Sequence, residues 1–66
     1  MASRFVVEII TDSAAWSDPL DSDAVDLDAV AAKLREIADR VAEGSTRGGI
    51  LDANGNASGQ YFGEEN

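Results

Sequence analysis

The chain contains no cysteine and no histidine, and its five basic residues stand against thirteen acidic ones. Without cysteine there is no disulfide and no thiolate metal site. Without histidine there is no imidazole ligand, and no side chain whose ordinary pKa suits general-base work near neutral pH. The net charge of -8 argues against direct binding to nucleic acid or to an anionic membrane, because phosphate contacts need Lys and Arg. Long hydrophobic runs are missing as well. The first apolar stretch, from Phe5 to Ile10, is broken by Glu8, so it is too short for a signal-peptide core and far too short for a membrane span. The expectation is a soluble protein of a reducing compartment, the cytoplasm.

Sixty-six residues make one small domain, 1–66. A chain of this length buries only about 60% of its unfolded surface. Ordering it costs on the order of 100 kcal/mol at roughly 1.5 kcal/mol per residue. Domains this small usually lean on disulfides, metals or oligomerisation. The first is excluded here and the second is restricted, so self-association, as a homodimer or higher oligomer, is the expected aid.

Residues 4–11, Arg-Phe-Val-Val-Glu-Ile-Ile-Thr, are β-branched and aromatic, and they predict a strand. Phe5, Val7 and Ile9 share one face, and Val6, Glu8 and Ile10 the other. Apolar residues on both faces predict cover on both sides. Residues 12–23 carry Pro19 and repeated Ser and Asp and read as an acidic loop. Trp16 lies inside it, either folded back as a lid on the core or exposed as an anchor for a partner.

A helix is predicted over 24–43. Leu27, Val30, Leu34, Ile37 and Val41 recur at three- and four-residue steps. Asp23, Asp26 and Asp28 crowd its start, where free N–H groups and the positive end of the dipole favour carboxylates. Gly44 is placed to end it. Glu36–Arg40 and Arg35–Asp39 are candidate ion pairs one turn apart. Beyond the helix, residues 48–53 and 57–62 flank Asn54-Gly55 and predict a hairpin. Either a two-residue turn pairs Ala53 with Asn56, or a turn with a bulge pairs Asp52 with Asn56 and puts Gly55 in the left-handed region. The tail 63–66 is expected to fray.

The order strand, helix, strand, strand defines an α+β class. The expected form is a two-layer β-α-β-β domain with one amphipathic helix on a three-stranded sheet. With the first strand beside the last, all three strands run antiparallel, and this order is preferred. A right-handed crossover placing the first strand beside the second, in parallel, is the other route.

The chemistry-bearing patterns are weak. Asp18, Asp21, Asp23, Asp26 and Asp28 could in principle hold a hard cation, but capping and loop solubility account for them. Asp52-Ala53-Asn54-Gly55-Asn56 mimics the start of a calcium loop. The glycine position of such a loop falls on Ala57 and its bidentate Glu position on Gly63. Gly44, Gly48 and Gly49 follow a helix, where a phosphate cradle precedes one. The Ser and Thr residues have no imidazole to activate them. No catalytic residue, cofactor or metal is expected, and the chain is read as a non-enzyme. Acidic mimicry of DNA is disfavoured by Lys33, Arg35 and Arg40 on the helix face. The sheet face away from the helix, together with the loop, is the expected interaction surface: Val6, Ile10, Trp16, Asp18, Asp21 and Phe62.

Three segments together carry a resemblance. They are Asp12-Ser13-Ala14-Ala15-Trp16, Leu34-Arg35-Glu36-Ile37-Ala38-Asp39-Arg40-Val41, and Asp52-Ala53-Asn54-Gly55-Asn56 followed by Gly59 and Tyr61. In this order the chain resembles a group of short proteins from bacteriophages and mobile elements, common in actinobacterial phages. Tyr61 stands where that group has Trp, Ser58 where it has a bulky residue, and the stretch 18–26 is longer and more acidic here. The resemblance implies an accessory protein in the host cytoplasm, acting on an unidentified host or phage protein. It transfers no catalytic residues. A module that sequesters a small nucleotide, with Arg4 and Arg47 as its cations, and a virion or assembly component are the competing readings.

Overall fold

The computed structural model describes residues 3–65; Met1, Ala2 and Asn66 lie outside them. Strand β1 (Ser3–Ile9) leads to a 3-10 turn (Ala14–Trp16), then strands β2 (Ser17–Asp18) and β3 (Asp21–Val25), helix α1 (Leu27–Ala42), and strands β4 (Arg47–Leu51) and β5 (Ala57–Glu65). The class is α+β. β1, β5 and β4 form one sheet in that order, and β2 and β3 a second, two-stranded one. Both pairings of the larger sheet are antiparallel, so the first strand lies beside the last, the preferred of the two predicted orders.

Several boundaries differ from expectation, among them the first hairpin strand, which covers 47–51 and not 48–53, and the helix end, at Ala42 and not 43. The first strand covers 3–9, which leaves Ile10 and Thr11 beyond its end. The segment 12–23 is no simple loop: it contains the 3-10 turn, all of β2 and the first part of β3. Its aspartates support this shape, since Asp18 Oδ1 accepts the Leu20 N–H at 2.8 Å and Asp21 Oδ1 accepts the Asp23 N–H at 3.0 Å. The helix starts at Leu27, not 24, because Asp21–Val25 pair as β3 and Asp26 is the cap. The Asp26 side chain accepts the Ala29 N–H at 3.1 Å. In the tail, residues 63–65 are strand, paired with Phe5, Arg4 and Ser3, while Asn66 is outside the described residues. Arg4 holds the tail across the sheet, its Nε 2.8 Å from Glu64 Oε1.

The β4–β5 hairpin takes the bulged form. The Asp52 N–H donates to Asn56 O at 2.9 Å, and the Gly55 N–H donates to Asp52 O at 3.0 Å. Gly55 has φ +82, and no residue other than glycine has positive φ among those described. Both mirror-type two-residue turns need a positive φ at the first central residue, which is Asn54, so neither is present. Asp52 organises the turn from inside, its Oδ1 accepting the N–H groups of Asn54 and Asn56, both at 2.9 Å. The register slips between Ile50 and Leu51, and Ser58 is the extra residue.

Ile37, Ile50 and Tyr61 form the buried core cluster, with half-buried Ile9 against it. Because directly opposed residues of an antiparallel pair share a face, the pairings Phe5↔Gly63, Val7↔Tyr61 and Gly48↔Tyr61 put Phe5, Val7, Gly48 and Tyr61 on the face toward Ile37. Gly48 is required there, since an added Cβ would sit 2.6 Å from the Tyr61 hydroxyl. That hydroxyl pairs with Ser45 Oγ at 2.8 Å. No described helix is long and apolar enough to cross a membrane.

Candidate interaction surface

The six residues expected to form a contact surface fall in separate places. Val6 and Phe62 are directly opposed on β1 and β5, on the sheet face away from Ile37, and both are half-buried. Ile10 is exposed just past β1, and its N–H donates to Ser58 O at 2.7 Å. Asp18 and Asp21 oppose each other at the tip of the β2–β3 hairpin. Trp16 is corrected most sharply. It is only 3% exposed, and its indole N–H donates to Ser58 Oγ at 3.1 Å. The lid reading therefore holds, and the exposed anchor does not. The 3-10 turn is tied to the helix as well, because Trp16 O accepts the Asp26 N–H at 2.8 Å.

The larger open apolar surface lies on the other face of the sheet. Phe5 and Val7, on the side toward Ile37, remain 46% and 40% exposed. The helix fails to cover them because it sits over the opposite edge. Lys33, Glu36, Ile37 and Arg40 line a crevice against Gly49–Ala53, so that flank of α1 faces β4. Leu34 projects about 100° round the helix from Lys33, on the far side of Ile37. It is in line with Leu27 and Val41 at seven-residue steps. These three point away from β4, toward the β1 side, and all are exposed. The row spans roughly 20 Å at about 1.5 Å per residue. Leu27, Leu34 and Val41 on α1 and Phe5 and Val7 on β1 are thus left exposed on the helix side of the sheet, where α1 and β1 leave a corner open. Sequence periodicity identified the row; nothing in it said which half would be left uncovered.

Whole-molecule dimensions agree. The accessible surface is 4830 Å², against about 4,000 Å² for a compact folded chain of this mass. The radius of gyration is 13.2 Å, against about 11 Å for a compact chain of this length.

The charges on the β4 flank of α1 are ordinary surface pairs. Glu36 lies 3.1 Å from Lys33 Nζ and 2.6 Å from Arg40 Nη2. Lys33, by hydrogen bond and by charge, holds the Glu36 carboxyl below its usual pKa, and Arg40 adds to this. Arg35–Asp39 is not among the ion pairs of the described residues. No group of three or more carboxylates placed to hold a metal occurs among the described residues. Arg47 flanks a shallow depression of about 500 Å³ over Gly49, Gln60 and Phe62. Arg4, the other cation considered for phosphate, is engaged by Glu64.

No protein-family model matches the chain, and comparison with curated proteins and with solved structures finds no match to either.

Proposed function

We propose that this protein acts by binding protein, through the open corner between α1 and β1. The observation that carries the reading is the imbalance of its apolar residues. Trp16, Ile37, Ile50 and Tyr61 are the buried large apolar residues, while nine others among the described residues are exposed, including Phe5 and Val7 on β1 and Leu27, Leu34 and Val41 on α1. An exposed apolar patch marks an interface, where scattered apolar residues would not, and in this reading these five residues form one. The two-layer arrangement, with α1 on one face of the sheet, belongs to this reading and draws on the contact of Ile37 with Ile50 and Tyr61.

The partners in this reading are a second copy of the chain and an unidentified host or phage protein. The resemblance of its motifs to phage proteins supports an accessory role in the host cytoplasm, modulating a host process. The chemistry is binding, not catalysis, and needs no cofactor. The test is recovery of partners, including an untagged copy of this chain, by tagged wild type and tagged Leu34→Glu. Trp16 emission confirms folding of both. The variant is expected to lose most of the recovered protein, and equal recovery would overturn the proposal. Sequestration of a nucleotide is weaker, since of its two candidate cations Arg4 is already paired with Glu64.

A further inference from the structure

Among the described residues, the outer edge of β1 pairs with no other strand, and the ladder shows which of its groups face outward. The Ile10 N–H donates to Ser58 O, directly in register with β1–β5 pairing. Alternate residues of a strand send their N–H and C=O groups to opposite sides. Arg4, Val6 and Glu8 therefore bond toward β5, and Ser3, Phe5, Val7 and Ile9 present theirs outward. An exposed edge of this kind is a template for another strand unless it is short, bulged or heavily charged. β4, at the opposite edge, is so blunted: it has five residues, two of them Gly48 and Gly49, and a register irregularity. β1 has seven residues and no irregularity in its pairing.

We propose that two copies of this chain join edge to edge through β1, antiparallel, about a two-fold axis at Val6. This rests on the reading above that the chain acts by binding protein, and it names a second copy as a partner. Outward groups must meet outward groups, so Ser3, Phe5, Val7 and Ile9 pair among themselves, and the axis falls on residue 5, 6 or 7. Only the axis at residue 6 uses all four: Ser3 meets the partner's Ile9 and Phe5 meets the partner's Val7. The same register sets Arg4 opposite the partner's Glu8, and Glu8 opposite the partner's Arg4. It makes two complementary charge contacts at non-hydrogen-bonded positions, where side chains approach closest, with the Arg4 guanidinium, bonded to Glu64 through Nε and Nη2, set between that carboxylate and the partner's Glu8. An axis at residue 5 would put Arg4 opposite the partner's Val6, and one at residue 7 would put Glu8 there.

The consequence is a six-stranded sheet with both helices on one face. The two β5 strands stand about 14 Å apart, three strand spacings. Phe5 and Val7 of both copies make one apolar floor between the two Leu27–Leu34–Val41 rows.

The cysteine-free background gives a direct test. Single variants Phe5→Cys, Val6→Cys and Val7→Cys are oxidised mildly at about 50 μM, in the micromolar range where weak dimers are populated, and read on a denaturing gel. Directly opposed, non-hydrogen-bonded residues lie about 4.5 Å apart at Cα, within disulfide reach. Covalent dimer is expected from Val6→Cys alone. Native mass measurement at the same concentration accompanies it, with wild type expected at twice 6.9 kDa. Arg4→Glu and Glu8→Arg should each weaken the dimer by about tenfold, and a one-to-one mixture of the two should restore it, because every cross-strand pair is then opposite in sign. That rescue also shows that both variants fold. A wild-type dimer cross-linked best at residue 5 or 7, or indifferent to the charge exchange, overturns the register and leaves protein binding standing. A wild-type monomer overturns the self-pairing, while partner recovery by tagged protein decides the broader reading separately.

Discussion

Replacing Gly59 by alanine tests the sheet at its tightest point. Gly59 has φ +147, a conformation that side-chain-bearing residues rarely adopt. A Cβ there would overlap the Glu8 carbonyl oxygen, and it would lie 3.0 Å from the Glu8 carbonyl carbon and 3.2 Å from Ile9 Cα. These are backbone atoms, so relief requires β1 to move away from β5. The positive φ costs about 1–2 kcal/mol for an L-residue. Moving the strands endangers the hydrogen bond from Ile10 N–H to Ser58 O, worth about 1 kcal/mol net. The sum is about 3 kcal/mol, out of the 3–10 kcal/mol expected for a domain of this length at roughly 0.05–0.15 kcal/mol per residue. With an m-value near 1 kcal/mol/M, the urea midpoint should fall by about 2–3 M. Trp16 is the only Trp and is buried, so its emission reports the transition. Protomer concentration is held fixed, because association shifts apparent stability. Gly49→Ala is the control. It has negative φ and nothing within 4 Å of an added Cβ, so its midpoint should stay within about 0.5 M of wild type, in line with the usual surface tolerance. Equal midpoints for Gly59→Ala and wild type would refute the reasoning.

Ser58→Ala leaves the buried Trp16 indole N–H without its acceptor and should cost about 1–3 kcal/mol; unchanged urea unfolding would count against that bond. Asp52→Ala removes the acceptor of two turn N–H groups and should cost a similar 1–3 kcal/mol, while Asp52→Asn keeps an acceptor oxygen and should recover most of it. Equal losses in the two variants would deny the role of that oxygen. Glu36 is held below its usual pKa, so its contribution is present above the ordinary carboxylate range and fades as pH falls through the lowered folded-state value. The group is solvent-exposed, so the difference between wild type and Glu36→Gln should be small at pH 7 and vanish in about 1 M salt, where screening acts within about 3 Å. A difference that persists in salt would point to another cause.

The elements read most directly from the sequence are those with strong local signals. Phe5, Val6, Val7 and Ile9 favour extended chain, the leucine–valine–isoleucine periodicity favours helix, and Asn54-Gly55 marks a turn. The β2–β3 hairpin was hidden because Asp, Ser and Pro are poor strand formers. It is held by side-chain-to-backbone bonds from Asp18 and Asp21, and the same aspartates read equally well as loop or helix cap. Residues 63–65 were hidden for a related reason, since Gly-Glu-Glu has no strand preference of its own and is ordered through the β1 ladder and Arg4. The open corner was half legible. Apolar residues on both faces of β1 announced an uncovered side, but which side depended on the lateral placement of α1 over the sheet. That placement is set by Ile37 settling between Ile50 and Tyr61, a long-range fit that no local pattern encodes. The Trp16–Ser58 bond spans 42 residues and depends on the bulge, so it left no mark in the sequence.

The adjacency of β1 and β5 also sets a timetable. The two strands are the first and last elements of the described chain, so their partnership cannot begin until β5 has been synthesised. At roughly 5–20 residues per second, β1 waits for several seconds with both edges bare, and sheets built from such distant segments close slowly. The β4–β5 hairpin and α1 can form from nearby residues, but β1 is the last strand to be sheltered. During that interval a nascent β1 can meet another nascent β1 on the edge meant for β5. Crowded synthesis is therefore the setting in which this small protein is most exposed to mispairing.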